Sequence, residues 1–253
     1  MTLPWEILER DHDLQNPTSP AKIRLLGEYL RLTPQTSVLD VACGKAGPAL
    51  ILAAEHGCRI RGIELRSGFA DAARRRIATA GLEQLIEVET ADASAATFEP
   101  AAYDVALCLG ASFVWGTIAD AAAVLAPAVR QGGSVAIGEP FWRRWPLPAG
   151  VDPMEYVGLE ATVDRFAAAG VGTTGVIAAS RDDWDRYESL HWRAAEEWLA
   201  EHPGDPHIAE IRAGHEAARR AYLQIHRPLL GWAIFVGRVR RASRCSSRRR
   251  VCT

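Results

Sequence analysis

Lysine is nearly missing from this sequence: only Lys22 and Lys45 occur among 29 basic residues in a chain of 253. No Tyr-x-x-x-Lys pair is therefore available to a short-chain dehydrogenase. Gly44-Lys45 also lacks the upstream glycine and the following Ser or Thr of a phosphate-binding P-loop. Long apolar runs are missing as well: none reaches the length that spans a bilayer, and residues 1–11 carry no secretory pattern. The expectation is a cytoplasmic chain with no membrane association. Five cysteines, odd in number and scattered, provide neither a disulfide framework nor a metal-ligand spacing. Cys43 and Cys108 flank expected strands and read as small buried residues. Basic charge is scarce in the body, where residues 1–237 hold 22 basic and 31 acidic groups, a net of −9. Such a body repels a phosphate backbone, which counts against a nucleic-acid partner. Residues 238–253 reverse the balance with seven arginines and no acid. Lacking a hydrophobic period, 241–253 reads as a disordered, solvated extension, with binding to nucleic acid or anionic surfaces as the alternative.

What is present is a regular alternation of strand and helix patterns. Val38-Leu39-Asp40-Val41 has the apolar run of a buried strand, small residues follow where the chain must turn, and a helical pattern starts near Pro48, whose fixed φ suits a first helical position. Strand, tight turn and helix in that order aim backbone N–H groups at a carboxylate or phosphate. Beyond it the pattern predicts helix 48–56, strand 59–64, helix 67–80, strand 85–90, strand 103–109, helix 118–129 and strand 133–139. Helix 159–169, strand 174–180 and strand 232–239 complete the core. Strands joined by single helices call for a parallel sheet covered on both faces, with ligands at the carboxyl ends of the strands. Asp40, Glu64, Asp92, Leu109 and Glu139 all fall at such ends. Earlier in the chain, Ser19 caps and Pro20 begins a helix with an Ile23, Leu26, Leu30 face. It is expected either to cross the mouth of the ligand site, as part of a segment 1–36, or to cover the sheet edge.

Asp40-Val41-Ala42-Cys43-Gly44-Lys45-Ala46 resembles the first motif of class I S-adenosylmethionine-dependent methyltransferases, an Asp followed by three alternating small residues that are usually glycines. Here Ala42 and Ala46 replace the outer two. By itself the loop also suits a dinucleotide-binding fold. Glu64 ends the next strand, 20 residues beyond Gly44, within the spacing of an acid that bonds ribose hydroxyls. In the family the acid corresponding to Asp92 accepts a hydrogen bond from the adenine amino group. Asn16-Pro17, Ile137-Gly138-Glu139-Pro140-Phe141-Trp142, Trp184-Asp185-Arg186-Tyr187-Glu188 and Gly231-Trp232-Ala233-Ile234-Phe235 look like signatures of an uncharacterised bacterial branch of the same family. The resemblance spans residues 12–240. It implies a Rossmann-like α/β fold, a seven-stranded, mostly parallel sheet with the last strand antiparallel, in one domain over 37–240. It implies S-adenosyl-L-methionine as cofactor and a small-molecule methyl acceptor with an O or N target atom. The expected cofactor-binding residues are Asp40, Ala42, Cys43, Gly44, Ala46, Glu64, Leu65, Asp92, Ala93 and Leu109. Cofactor binding without transfer and nicotinamide-dependent oxidoreduction are the alternatives.

Methyl transfer from a sulfonium needs positioning and, for some acceptors, a base. Glu139, at an expected strand end, is either an orienting group for the acceptor or a structural carboxylate. Trp184, Tyr187 and His191 fall on one helix face, which suits a hydrogen-bond donor and a base, or simple packing. The stretch 181–226 far exceeds an ordinary loop and reads as a helical cap over the acceptor site, with a homodimer interface as the other reading of its aromatics. The segment Phe141-Trp142-Arg143-Arg144-Trp145-Pro146 is expected to leave the sheet where the acceptor pocket opens. His202 and His207 do not suggest a metal, because Asp205 and Pro206 explain that segment as a helix start. Leu109-Gly110-Ala111-Ser112-Phe113 lacks the Asn-Pro-Pro-aromatic motif of adenine and glutamine-amide methyltransferases, a further count against nucleic acid.

Overall fold

The computed structural model describes residues 2–240, so the Arg-rich extension 241–253 lies outside the described residues. Seven strands, β1 (Ser37–Val41), β2 (Arg59–Glu64), β3 (Ile86–Thr90), β4 (Tyr103–Leu109), β5 (Val129–Trp142), β6 (Val171–Ala178) and β7 (Leu230–Val239), form one sheet in the order β3-β2-β1-β4-β5-β7-β6. The first five are parallel, and β7 runs antiparallel to β5 and β6, between which it is inserted. This is the topology that the family resemblance implies. β1 lies inside the sheet with Val38, Leu39, Asp40 and Val41 all buried, as a parallel strand covered on both faces requires.

Two core layers flank the sheet. On one face α2 (Pro20–Leu30), α3 (Gly47–His56) and α4 (Ser67–Ala80) contribute Ile23, Leu52 and Ile77; on the other α5 (Ile118–Leu125) and α6 (Leu159–Ala168) contribute Leu125 and Phe166. Along β5 the period of two sends Ala136 and Trp142 to the first layer, Ile137 and Phe141 to the second. Ser19 caps α2 through the Lys22 N–H with Pro20 at the first position, as the sequence predicts. Burying Ile23, Leu26 and Leu30 contributes about 1.5–3 kcal/mol for each side chain, and α3 lies close enough that a Cβ on Gly27 would sit 2.2 Å from His56 Nε2.

Two boundaries differ in ways that matter. The helix predicted over 118–129 stops at Leu125, where Pro127 brings a tighter single turn before β5 starts at Val129. At its other end β5 does not stop at Glu139: Pro140, Phe141 and Trp142 remain paired with Trp232, Gly231 and Leu230 of β7. A proline suggested an end to the strand, but the antiparallel neighbour holds it in the sheet. Trp142 is then buried and donates its indole N–H to Pro153 O at 2.9 Å. The stretch 181–226 forms α7 (Arg181–Glu201), α8 (Ile208–Ala221) and a π-helical turn, Tyr222–His226, ahead of α9 (Arg227–Leu229). Short α1 (Trp5–Leu8) packs on α7, and Leu3, Ala195, Leu199 and Ile211 make a small separate core there.

Candidate active site

From β1 the chain moves outward to β2 on one side and later to β4 on the other, so the crevice between the ends of β1 and β4 is the switch point of the sheet. A cavity of about 240 Å³ opens there. Asp40, Ala42, Cys43 and Gly44 line it from β1, Leu109 to Ala111 from β4, and Glu64 from β2. Ala42, Gly44 and Ala46 all have left-handed backbones, with φ of 55°, 56° and 58°. The family's preference for glycine at these three positions thus has a conformational cause, since a Cβ in that region costs about 1–2 kcal/mol. The alternation turns the chain into α3, whose first turn has no side-chain cap.

Glu64 pins this loop: Oε2 accepts the Gly44 N–H and Oε1 the Arg66 N–H, both at 2.9 Å. Asp40 is 2% exposed, and its Oδ2 is buried without a hydrogen-bond partner. Burial, and then the nearby Glu64 charge, push its carboxyl up to about 7. The same burial raises the Cys43 thiol well above its usual range, so Cys43 is an inert wall residue. Ala46 caps α3 from behind the cavity wall. Leu65, Asp92 and Ala93 also lie outside the wall: Leu65 is exposed, Ala93 is buried, and exposed Asp92 accepts the backbone N–H and hydroxyl of Ser94 at 2.8 and 2.7 Å.

The cover of the cavity comes from residues before α2, which itself contributes nothing to the wall because its apolar stripe is taken up by α3. Gln15 Oε1 accepts the Lys45 N–H at 2.6 Å, and Asn16 Nδ2 donates to Leu109 O at 2.7 Å, bridging both loops of the crevice. Lys45 Nζ, buried, donates to Glu9 O and Arg10 O at 2.7 and 3.1 Å. Sequence reasoning expected segment 1–36 to cross the mouth but gave the crossing to α2, so the roles of the residues that make this cover were missed. Its polar residues serve loops far away in the chain and have no period of their own.

Tyr187 and His191 do meet, 4.6 Å between rings, and both bond Glu9: the Tyr187 hydroxyl donates to Glu9 Oε1 at 3.0 Å, and His191 Nε2 lies 2.9 Å from the same oxygen. His12, whose imidazole is held below its usual pKa by burial, completes the group, with Nε2 on Tyr187 O at 2.9 Å. Glu9 and His12 were not anticipated, although their spacing of three residues was a signal. Glu9, His12 and His191 offer ligand atoms within 4.8 Å of one another, a set that could hold a metal. Glu9 Oε1 is already engaged by two protein groups, and buried Lys45 stands beside them. Glu139 is elsewhere. It sits inside β5 on the α5 and α6 side, 4% exposed, accepts the Ser112 hydroxyl, and lines no part of the cavity. Phe141 and Trp142 do not line it either.

Residues 38–133 match a family profile described as a methyltransferase domain. YjhP, an uncharacterized protein of Escherichia coli (strain K12), is 32% identical over 91% of this chain and 96% of its own. The crystal structure of a SAM-dependent methyltransferase from Thiobacillus denitrificans in complex with S-adenosyl-L-homocysteine superposes with a TM-score of 0.87, at 31% identity, covering 95% of this chain and 100% of that one. The chain belongs to the S-adenosylmethionine-dependent methyltransferases. A 27-O-demethylrifamycin SV methyltransferase of Amycolatopsis mediterranei (strain S699) is 29% identical over 72% of this methyltransferase and 61% of its own length.

The residues of the methyltransferase cavity fit the cofactor on chemical grounds. A buried carboxylate oxygen with no donor, on Asp40, invites a cationic group. The uncapped first turn of α3 invites an anionic one, and Glu64 lies on the wall at the end of β2. Among the described residues no helix is long and apolar enough to cross a membrane.

Proposed function

We propose that this methyltransferase moves the cofactor's methyl group to an O or N atom of a small molecule, with a hydroxyl oxygen favoured. The observation that carries the reading is a second cavity of about 230 Å³, bounded by His191, which shares Trp5 and Tyr187 as walls with the first. A cofactor and an acceptor thus have adjoining rooms that meet at Trp5 and Tyr187. The name of the Amycolatopsis relative states an O-demethylated substrate, which supports an oxygen acceptor.

In this reading the backbone of Ala42, Cys43, Gly44 and Ala46, with Leu109 opposite, cradles the cofactor; Asp40 receives its ammonium, Glu64 its ribose hydroxyls, and Asp92 its adenine from the rim. When bound, S-adenosylmethionine supplies a methyl group on a sulfonium leaving group. The chain's own part is to bring the acceptor oxygen into line and keep water out, which can lower the barrier by about 7–11 kcal/mol. With Nε2–H donated to Glu9, the lone pair of His191 is on Nδ1, and this atom takes the acceptor's proton. The O–C bond forms as the C–S bond breaks, and the proton passes from His191 to solvent. Glu9 is a positioning residue, and Tyr187 braces it through its hydroxyl. Glu139, bonded to Ser112 behind the sheet, has no part in the chemistry proposed.

Incubation with methyl-labelled cofactor and a panel of phenols, alcohols and amines tests this. His191→Ala is expected to lower kcat about 10²–10⁴-fold while leaving S-adenosylhomocysteine affinity intact. A change confined to KM would remove His191 as the base.

A further inference from the structure

We infer that the second cavity takes an uncharged aromatic acceptor, a phenol-like molecule whose ring body lies among apolar side chains and whose far edge hydrogen-bonds His215. This rests on the methyl-transfer reading above and adds the substrate class. Leu3, with Trp5 and Leu8 from α1, Trp192 and Ala195 from α7 and Ile211 from α8, supplies the apolar wall. Trp5, a large ring 47% exposed, has surface in the walls of both rooms. A flat ring is the occupant that such a surface pairs with best. Buried polar atoms are normally bonded, yet His215 Nε2 has no hydrogen-bond partner; the nearest carboxylate oxygen, of Glu196, is 3.8 Å away. His215 stands in the wall of this cavity, so a ligand polar atom can satisfy it. Glu188 stands in the same wall and Glu9 in the wall of the first cavity, so two carboxylates repel an anionic acceptor, while the apolar wall leaves a cationic one poorly solvated. His191, in the same wall, is placed to take the phenolic proton, yielding an aryl methyl ether and S-adenosylhomocysteine.

The test is calorimetry with the full chain saturated with S-adenosylhomocysteine, using 2-naphthol, 2-naphthoate and the cationic naphthylmethylamine as probes. The expected result is binding of 2-naphthol at least tenfold tighter than either charged probe. Ala218→Trp, on the exposed rim of the cavity, is expected to abolish naphthol binding without changing S-adenosylhomocysteine affinity, and His215→Phe to weaken it about fivefold. With S-adenosylmethionine, 2-methoxynaphthalene should appear. Tighter binding of a charged probe, or naphthol binding untouched by Ala218→Trp, overturns the inference while the methyl-transfer reading stands. Failure of the wild-type chain to bind S-adenosylhomocysteine brings down that reading and this one with it.

Discussion

Substituting within the 42–46 turn separates backbone strain from lack of room, because the three left-handed positions differ mainly in what surrounds them. Relieving an alanine in that region recovers about 1–2 kcal/mol, against about 0.5–1 kcal/mol for the extra freedom glycine has in the unfolded chain. Ala42 is half-buried, so Ala42→Gly loses little contact and is expected to stabilise by about 0.5 kcal/mol. Ala46 is fully buried, and deleting its methyl forfeits about 0.8 kcal/mol, which leaves Ala46→Gly close to neutral. Gly44→Ala runs the other way. Strain is added, and the new Cβ would lie 2.1 Å from Gln15 Oε1, so Gln15 must swing off and release the Lys45 N–H. Strain and the lost bond together amount to a destabilisation of about 2 kcal/mol. In a Gln15→Ala background the collision is absent and the cost of Gly44→Ala should shrink to about 1 kcal/mol, a coupling that a double-mutant cycle in urea resolves. If Gly44→Ala costs the same with and without Gln15, the cover does not press on this turn and the explanation of the lone glycine is refuted.

Cofactor affinity should follow the ionisation of Asp40: with its carboxyl near 7 in the free protein, S-adenosylhomocysteine is expected to bind about tenfold tighter at pH 8 than at pH 6, and a flat calorimetric profile would sink the ammonium pairing. Glu139, pushed from 4.5 up to about 7 chiefly by burial, loses its proton first in the unfolded chain, so it lowers stability as pH rises from about 4.5 to 7 and stays unfavourable above. Glu139→Gln keeps an acceptor for Ser112 and should therefore stabilise the protein by about 1–3 kcal/mol at pH 8 and hardly at all at pH 4.5; thermal melts at the two pH values decide it. Lys45→Ala strips two carbonyls of their donor, and the segment before α2 should become the first site of limited proteolysis, with bound S-adenosylhomocysteine no longer protecting it.

Much of the cofactor side was legible because it is local. A strand, a turn of small residues and a helix are adjacent in the chain, so their identities and the distance to Glu64 can be read along it, and the starts and ends of β2, β4 and α4 come out as the periodicity predicts. Legibility fell where partners are distant. Glu139 looked like a pocket residue because β5 was expected to end there, and only the pairing of residues 140–142 with β7 shows that the strand continues and turns the carboxylate toward Ser112. The mouth of the cavity looked like the business of α2, whose stripe is instead spent on α3.

The amino-acid sequence alone determined the layered α/β architecture and the small-residue turn, because hydrophobic period and left-handed backbone preference act over a few neighbouring residues. The tertiary structure alone decided which carboxylate meets which histidine. Glu9 and His191 are brought together by α1 packing on α7, and β7 takes its antiparallel place between β5 and β6. Contacts between segments so far apart depend on how surfaces fit after the chain has closed on itself, and the order of residues carries no short-range mark of them.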